Sequence, residues 1–407
     1  MVNDMIPQLR FSEFTEDWSI DKFENLTKIN QGLQIPISER YTEQIEGSYF
    51  YITNEFLKKN SDKKYYILNP TESVLCNEDD VLMTRTGNTG QVVTNVVGAF
   101  HNNFFKIKFD NEKINKDFLV YFLRLYKTQN AILRLAGTST IPDLNHSDFY
   151  KIEMPHPIPT EQTKIATFLT AVDKRINLLQ KKKAELEQYK KGVMQKLFSQ
   201  TIRFKKDDGN CFPDWVEKKL GEVGETFNGL TGKTKVDFGV GKPYIQYMQI
   251  FSSSKIDTAN FGLVNIEDGE NQNSAQYGDV FFTTSSETPK EIGTSSVLTE
   301  QVKEVYLNSF CFGYRPNLLD ELVPEFSQFF FRSNKVRKEI IKLAQGSTRF
   351  NMSKVELMKL KFDFPHKDEQ QKIANFLSCI DKSIKKIGNQ IDDSIMFKKG
   401  LLQKMFV

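Results

Sequence analysis

Apolar residues recur at helical spacing along two long stretches of the chain. In the first, Ile165, Phe168, Leu169, Val172, Ile176, Leu179, Leu186, Val193 and Leu197 fall on one helical stripe; in the second, Ile373, Phe376, Leu377, Ile380, Ile384, Ile387, Ile391, Leu401 and Met405 do the same. The pattern predicts two long amphipathic helices, over residues 159–200 and 367–407. Thr160 and Asp368 stand where an N-cap is needed, just past Pro159 and Pro365, and from Val172 onward the spacing settles into the coiled-coil period. A run of about 38 residues at 1.5 Å per residue spans roughly 57 Å, which exceeds an ordinary core helix and suits a spacer or a docking rail.

The two stripes are copies. At a constant offset of 208, residues 139–198 align with 347–406 without a gap, and 20 of those 60 pairs are identical, so the chain is an internal duplication. Upstream, both halves restart with an Asp-Trp pair (Asp17–Trp18 and Asp214–Trp215) followed by Gly32-Leu33 or Gly229-Leu230, at an offset of 197. Between these markers lie short β-rich runs: 48–53 against 242–250, and 79–97 against 278–298. Residues 116–140 answer 324–348, each readable as one amphipathic helix ending at a Gly-containing turn. The expected architecture is α+β. Globular regions at 1–158 and 201–366 are each followed by a long helix, and the helices form a coiled coil.

Composition adds little to that frame but excludes several classes. With 39% hydrophobic residues and 34 Phe among 407, this is ordinary globular material. It has no run of 18 or more apolar residues and no N-terminal signal segment, which points to the cytoplasm and away from membranes. Cys76, Cys211, Cys311 and Cys379 are scattered without metal-ligand spacing, so free buried thiols and no metal are expected. Net charge is +3; residues 161–198 carry nine Lys/Arg against four acids and residues 369–406 seven against four, so the helices supply +8 and everything else −5. Lysines 181, 182, 183, 190 and 191 read as a solvated face, and any nucleic-acid contact must come from local placement.

No catalytic constellation emerges. The 229–234 run GLTGKT lacks the glycine that a phosphate loop needs five residues before its Gly-Lys-Thr, where Phe227 stands. The 238–241 run FGVG lacks dinucleotide spacing and reads as a turn. The Asn/Asp-Pro-Pro-aromatic clamp that amino-methyltransferases close on a flipped base is absent, since Asn69-Pro70 is followed by Thr-Glu. What remains is a pair of polar hairpin loops. Thr84, Arg85, Thr86, Asn88 and Gln91 form the first; Thr283, Thr284, Ser285 and Lys290 form the second, with Arg349 in the later GSTR turn. Arg and Lys suit guanine edges, and Asn and Gln suit adenine edges.

The doubled signature P-x-x-x-EQ-x-KIA-x-FL-x-x-x-DK-x-I, at residues 157–176 and 365–384, resembles that of the specificity subunits of type I restriction–modification systems. The openings around Trp18 and Trp215, the strand-loop at residues 80–91, and the GTST (137–140) and GSTR turns are similar too. The resemblance covers essentially the whole chain and implies a non-catalytic adaptor: two target recognition domains, each followed by a conserved helix, with the helices antiparallel in a pseudo-twofold arrangement. Each domain would read one half of a bipartite, asymmetric double-stranded DNA site. Two methyltransferase subunits would dock on the helices and supply S-adenosylmethionine for adenine methylation; two translocase-endonuclease subunits would add ATP- and Mg-dependent cleavage. Carried over by position, the docking helices contain Lys164, Ile165, Phe168 and Leu169, and Lys372, Ile373, Phe376 and Leu377. The second loop departs from the first, with Thr283-Thr284-Ser285 where the first has Thr84-Arg85-Thr86. The competing reading is a coiled-coil scaffold for proteins only, without sequence-specific DNA readout.

Overall fold

A computed structural model describes residues 5–58, 61–137 and 140–407. The long helices are present as Pro159–Phe198 and Lys367–Met405. Each begins one residue before the expected cap. Pro159 occupies the first helical position, and the carbonyls of Ile158 and His366 accept the first helical amides, so Thr160 and Asp368 lie inside the first turn. The chain divides into two units, the first running to Gln180 and joined by Asn389–Val407, the second spanning Lys181–Gly388. Each unit thus holds one globular region and a piece of both helices, so the contact boundaries fall within the helices and not at their ends.

In the first unit a four-stranded antiparallel sheet orders Thr27–Gln31, Phe104–Phe109, Val81–Thr84 and Val92–Val93. A second, mixed sheet orders Tyr66–Leu68, Ser48–Ile52, Gly98–Phe100 and Leu75–Cys76, its one parallel pair joining Ser48–Ile52 to Gly98–Phe100. The second unit repeats both. Gly224–Asn228, Cys311–Pro316, Val280–Thr283 and Ser295–Val297 form the antiparallel sheet; Gly262–Val264, Phe238–Ile245, Val305–Leu307 and Ser274–Ala275 form the mixed one. A two-stranded ribbon closes each region just before its long helix: Ser19–Lys22 with Glu153–His156, and Val216–Lys219 with Lys361–Phe364.

Within each unit the two helix segments run antiparallel. In the first, Leu401, Met405 and Phe406 share a core with Ile165, Ala166 and Leu169, and Lys398 pairs with Asp173 at 2.6 Å. In the second, Leu197 and Phe198 meet Ile373, Ala374 and Leu377, and Lys190 pairs with Asp381 at 2.5 Å. The two ion pairs occupy equivalent positions at the offset of 208. Both seams keep heptad spacing while their middle stretches leave most side chains solvated, as a lysine-rich face requires.

Several local expectations are corrected. Residues 116–140 form two helices, Lys116–Arg124 and Tyr126–Leu135, with extended Leu125 (ψ 141) between them; of the turn that follows, residues 138 and 139 lie outside the described residues. Residues 324–348 likewise break into Pro324–Phe330 and Asn334–Ile341, where the Ser333 hydroxyl caps the second helix. Helical periodicity ran through the first break because Phe118 and Ile132, on either side of it, face one core. Residues 238–241 are strand, not turn: the register slips between Phe238 and Lys242, with Gly239 and Gly241 at φ 112 and 101. A bulge of this kind needs glycine. The run 242–250 is strand only to Ile245 and then turns into the helix Tyr247–Ser252. Cys76 and Cys311 are buried thiols, whereas Cys211 and Cys379 are exposed.

Candidate nucleic-acid interface

The first hairpin joins Val81–Thr84 to Val92–Val93 through residues 85–91. Thr84 is fully buried and does not face outward. Its hydroxyl donates to the Asn88 carbonyl (2.5 Å) and accepts the Gln91 amide (2.9 Å), which closes the loop from inside. Gly87, Asn88 and Gly90 all take positive φ, which lets the chain reverse so tightly. Arg85 is half-buried, donating to Asp143 at 2.7 Å with its guanidinium 5.6 Å from the Phe105 ring. Its Nε has no acceptor among the described residues. Thr86 is half-buried, forms a β-bridge with Asp143, and its carbonyl accepts from Asn54 (3.1 Å). Asn88 and Gln91 are exposed at the tip.

Support for this tip comes from the 101–104 turn. The Asn103 carbonyl accepts the Arg85 amide at 2.7 Å, and the Asn103 amide donates to Nδ1 of His101 at 3.1 Å. Burial, with help from Arg40, pushes the His101 imidazole down to about 4, so the ring is neutral near pH 7 and its Nδ1 stays an acceptor.

The second hairpin follows the same plan with other residues. Thr283 is buried, its hydroxyl accepting the Thr294 amide at 3.1 Å, and Ser285 is buried in a short pairing of Ser285–Ser286 with Phe350–Asn351. Thr284, half-buried, exchanges backbone bonds with Phe310 and Met352, as Arg85 does with Asn103 and Leu144. Thr84 and Thr283 are therefore frame residues, because a hydroxyl that closes a loop from within has no free face for a base, and Ser285 joins them by its burial in the paired strand. Lys290 and Arg349 are exposed, the Arg349 guanidinium 6.0 Å from the ring of Phe310. Phe310, itself 57% exposed, escaped sequence reading because a lone phenylalanine between strands signals core.

The helix signature does something sequence reading did not anticipate. Glu161 and Glu369 are wholly buried. Glu161 accepts from Arg10 Nε and Nη2, both at 2.8 Å, and from Trp18 Nε1 at 3.4 Å. Glu369 accepts from Arg203 at 3.1 and 2.7 Å and from Trp215 Nε1 at 3.1 Å. Each carboxylate in turn raises its arginine above the ordinary guanidinium range, chiefly through these hydrogen bonds. The neighbouring Gln162 and Gln370 satisfy three backbone groups each, Gln162 those of Pro157, Lys113 and Asn115, Gln370 those of Pro365, Glu321 and Val323. The repeated Arg-Phe at 10–11 and 203–204 was the available signal.

This clasp changes the assignment of the docking residues. Ile165, Leu169, Ile373 and Leu377 are buried in their own units, Phe168 packs edge-on to Phe11 (5.8 Å), and Phe376 packs edge-on to Phe204 (5.7 Å). Lys164 pairs with Glu13; Lys372 pairs with Asp207 (2.6 Å) and with the Lys205 carbonyl (2.7 Å). Lys164, Phe168, Lys372 and Phe376 are thus engaged by the segment that precedes their own globular region, while the four aliphatic residues lie in the core of their unit, so most of this set faces inward and Lys164 alone is exposed.

Exposed amides at one tip and cations at the other match the donors and acceptors of base edges and phosphates. Among the described residues, no three His, Cys, Asp or Glu side chains converge as a metal site, and no helix is long and apolar enough to cross a membrane.

Comparison with known proteins bears on the family and the fold. The family model described as the type I restriction modification DNA specificity domain matches residues 15–188 and again 213–395. The type I restriction enzyme MjaVIII specificity subunit of Methanocaldococcus jannaschii is 26% identical over 398 residues, covering 91% of this chain and 87% of its own. The putative MjaX specificity subunit of the same organism is 29% identical over about half of each chain. In fold, the chain is similar to the S subunit of a type I system from M. genitalium (TM-score 0.57, 17% identity, 99% of both chains). It is also similar to the HsdS subunit from Thermoanaerobacter tengcongensis (TM-score 0.51, 17% identity, 96% of both chains). Two matched domains, each ending in the clasped helix, place this chain in the type I restriction–modification DNA specificity family.

Proposed function

We propose that this chain is the DNA-reading subunit of a type I restriction–modification complex, each unit reading one half of a bipartite, asymmetric double-stranded site. Two methyltransferase subunits and two restriction-translocase subunits complete the assembly, and S-adenosylmethionine, ATP and magnesium belong to those partners. The observation that carries this reading is one frame used twice with unlike exposed tips. Asn88 and Gln91 beside Arg85 mark the first; Lys290 and Arg349 beside Phe310 mark the second. An asymmetric site calls for two readers of the same build and different surfaces. Docking of the methyltransferase subunits falls to the outward helix faces, where Tyr189 and its positional equivalent Phe397 are exposed.

The test is methylation of a randomised-site library by the chain reconstituted with its cognate methyltransferase subunit. Gln91→Ala or Asn88→Ala should lower discrimination at one half-site by about 1–3 kcal/mol and leave the other unchanged. Methyl transfer by this polypeptide alone, or no sequence preference with the partner, would sink the reading.

A second expected outcome concerns spacing. Each unit contains part of both helices, so both connections must lengthen together: four residues between Leu179 and Leu186, and four between Ile387 and Ser394. Each helix gains about 6 Å, against about 3.4 Å per base pair of DNA. Both half-sites should keep their sequence while the unread gap grows by about one base pair, or at most two. An active complex with an unchanged gap would mean that another element sets the distance.

A further inference from the structure

Behind each tip, at positions related by the offset of 208, one side chain of the second short helix reaches the loop backbone. Gln129, from Tyr126–Leu135, donates through Nε2 to the carbonyls of Gly90 (2.8 Å) and Leu123 (2.5 Å). Arg337, from Asn334–Ile341, donates through Nη1 to the Gly293 carbonyl (2.6 Å) and through Nη2 to those of Lys290 (2.9 Å) and Ile292 (2.7 Å). Gly90 and Gly293 are the same place in the two hairpins, because each donates its amide to the buried threonine carbonyl, Thr84 or Thr283, and each has positive φ.

We propose that Gln129 and Arg337 are positioning residues for sequence specificity, each holding the conformation of its own unit's recognition tip; this rests on the reading of the tips given above. Three carbonyls aimed at one point repel each other unless a donor cluster lies between them, and the planar guanidinium supplies donors in a fixed fork. No carboxylate shares Arg337 in the bonds described, and burial draws it down to about 10, so it remains a cation near pH 7. Lys290, whose carbonyl Arg337 holds, has its side chain exposed at the tip. On the other side, a Cβ at Gly90 would lie 2.8 Å from Gln129 Oε1, so a larger residue there would push the clamp out of place. The unlike clamps suit unlike loops: one amide serves the short first tip, and a three-carbonyl fork serves the longer second.

The experiment uses the full chain with its cognate methyltransferase subunit and the randomised-site library, comparing Arg337→Met and Gln129→Met with the tip variants Lys290→Ala and Gln91→Ala. Arg337→Met should cut selectivity about tenfold at the half-site that Lys290→Ala alters, and Gln129→Met at the half-site that Gln91→Ala alters, each sparing the other half. Arg337→Lys, which keeps the charge but not the fork, should fall between, and serves as the test if Arg337→Met does not fold. A merely structural role would lower total methylation with both halves of the motif unchanged, and that result overturns the proposal. If the tip variants also leave the motif unchanged, the reading of the tips fails with it.

Discussion

Glu369→Ala should destabilise the second unit by about 3–5 kcal/mol, and Glu161→Ala the first by a similar amount, because each removal takes one fully buried carboxylate from a partly buried arginine, left with backbone carbonyls such as those of Glu16 or Pro213, and from an indole N–H. The chain reports this itself. Its two tryptophans, Trp18 and Trp215, sit one in each clasp, so Trp18→Phe leaves fluorescence from the second unit alone, and Trp215→Phe from the first. Trp18→Phe gives up a 3.4 Å hydrogen bond worth about 0.5–1.5 kcal/mol, together with part of the packing of a buried indole against Phe118 and Phe406. In urea, the Glu369→Ala midpoint should fall at constant slope in the Trp215 signal, and a loss under about 1 kcal/mol would show that the clasp is not holding the unit together. Glu369→Gln keeps volume and one acceptor but not the charge, and should lie between wild type and alanine.

The second large effect is in the helix seam. Leu169→Ala and Leu377→Ala empty positions with no solvent exposure and should cost about 2–5 kcal/mol each. Phe168→Ala and Phe376→Ala should cost less than a fully buried phenylalanine does, since each ring is only partly buried and leans on one aromatic neighbour. Denaturation resolves this ranking. In the assembled complex all four variants should leave the methylated sequence unaltered, since none of these side chains belongs to a tip. A changed motif with intact folding would mean that the seam reaches the DNA-reading loops.

Residue pattern alone sufficed for the duplication, the two long helices, the α+β class and the absence of a familiar catalytic motif, because each is a matter of local periodicity or spacing along the chain. The 3.5-residue stripe runs from Ile165 to Leu197 and from Ile373 to Met405 whatever the helices pack against. Pattern also marked the two hairpins, since Thr84-Arg85-Thr86 and Thr283-Thr284-Ser285 lie between strand-forming runs. It could not tell which of their side chains face outward. Thr84 and Asn88 are equally polar in sequence, yet one closes the loop from inside and the other is exposed, a difference set by backbone φ and by hydrogen bonds across the turn. Nor could it show that Glu161 meets Arg10 and Trp18, 151 and 143 residues away, or that Gln129 and Arg337 hold the tips from another element. Those pairings join segments far apart in sequence, and only the folded chain, in which burial obliges each polar group to find a partner, brings them together.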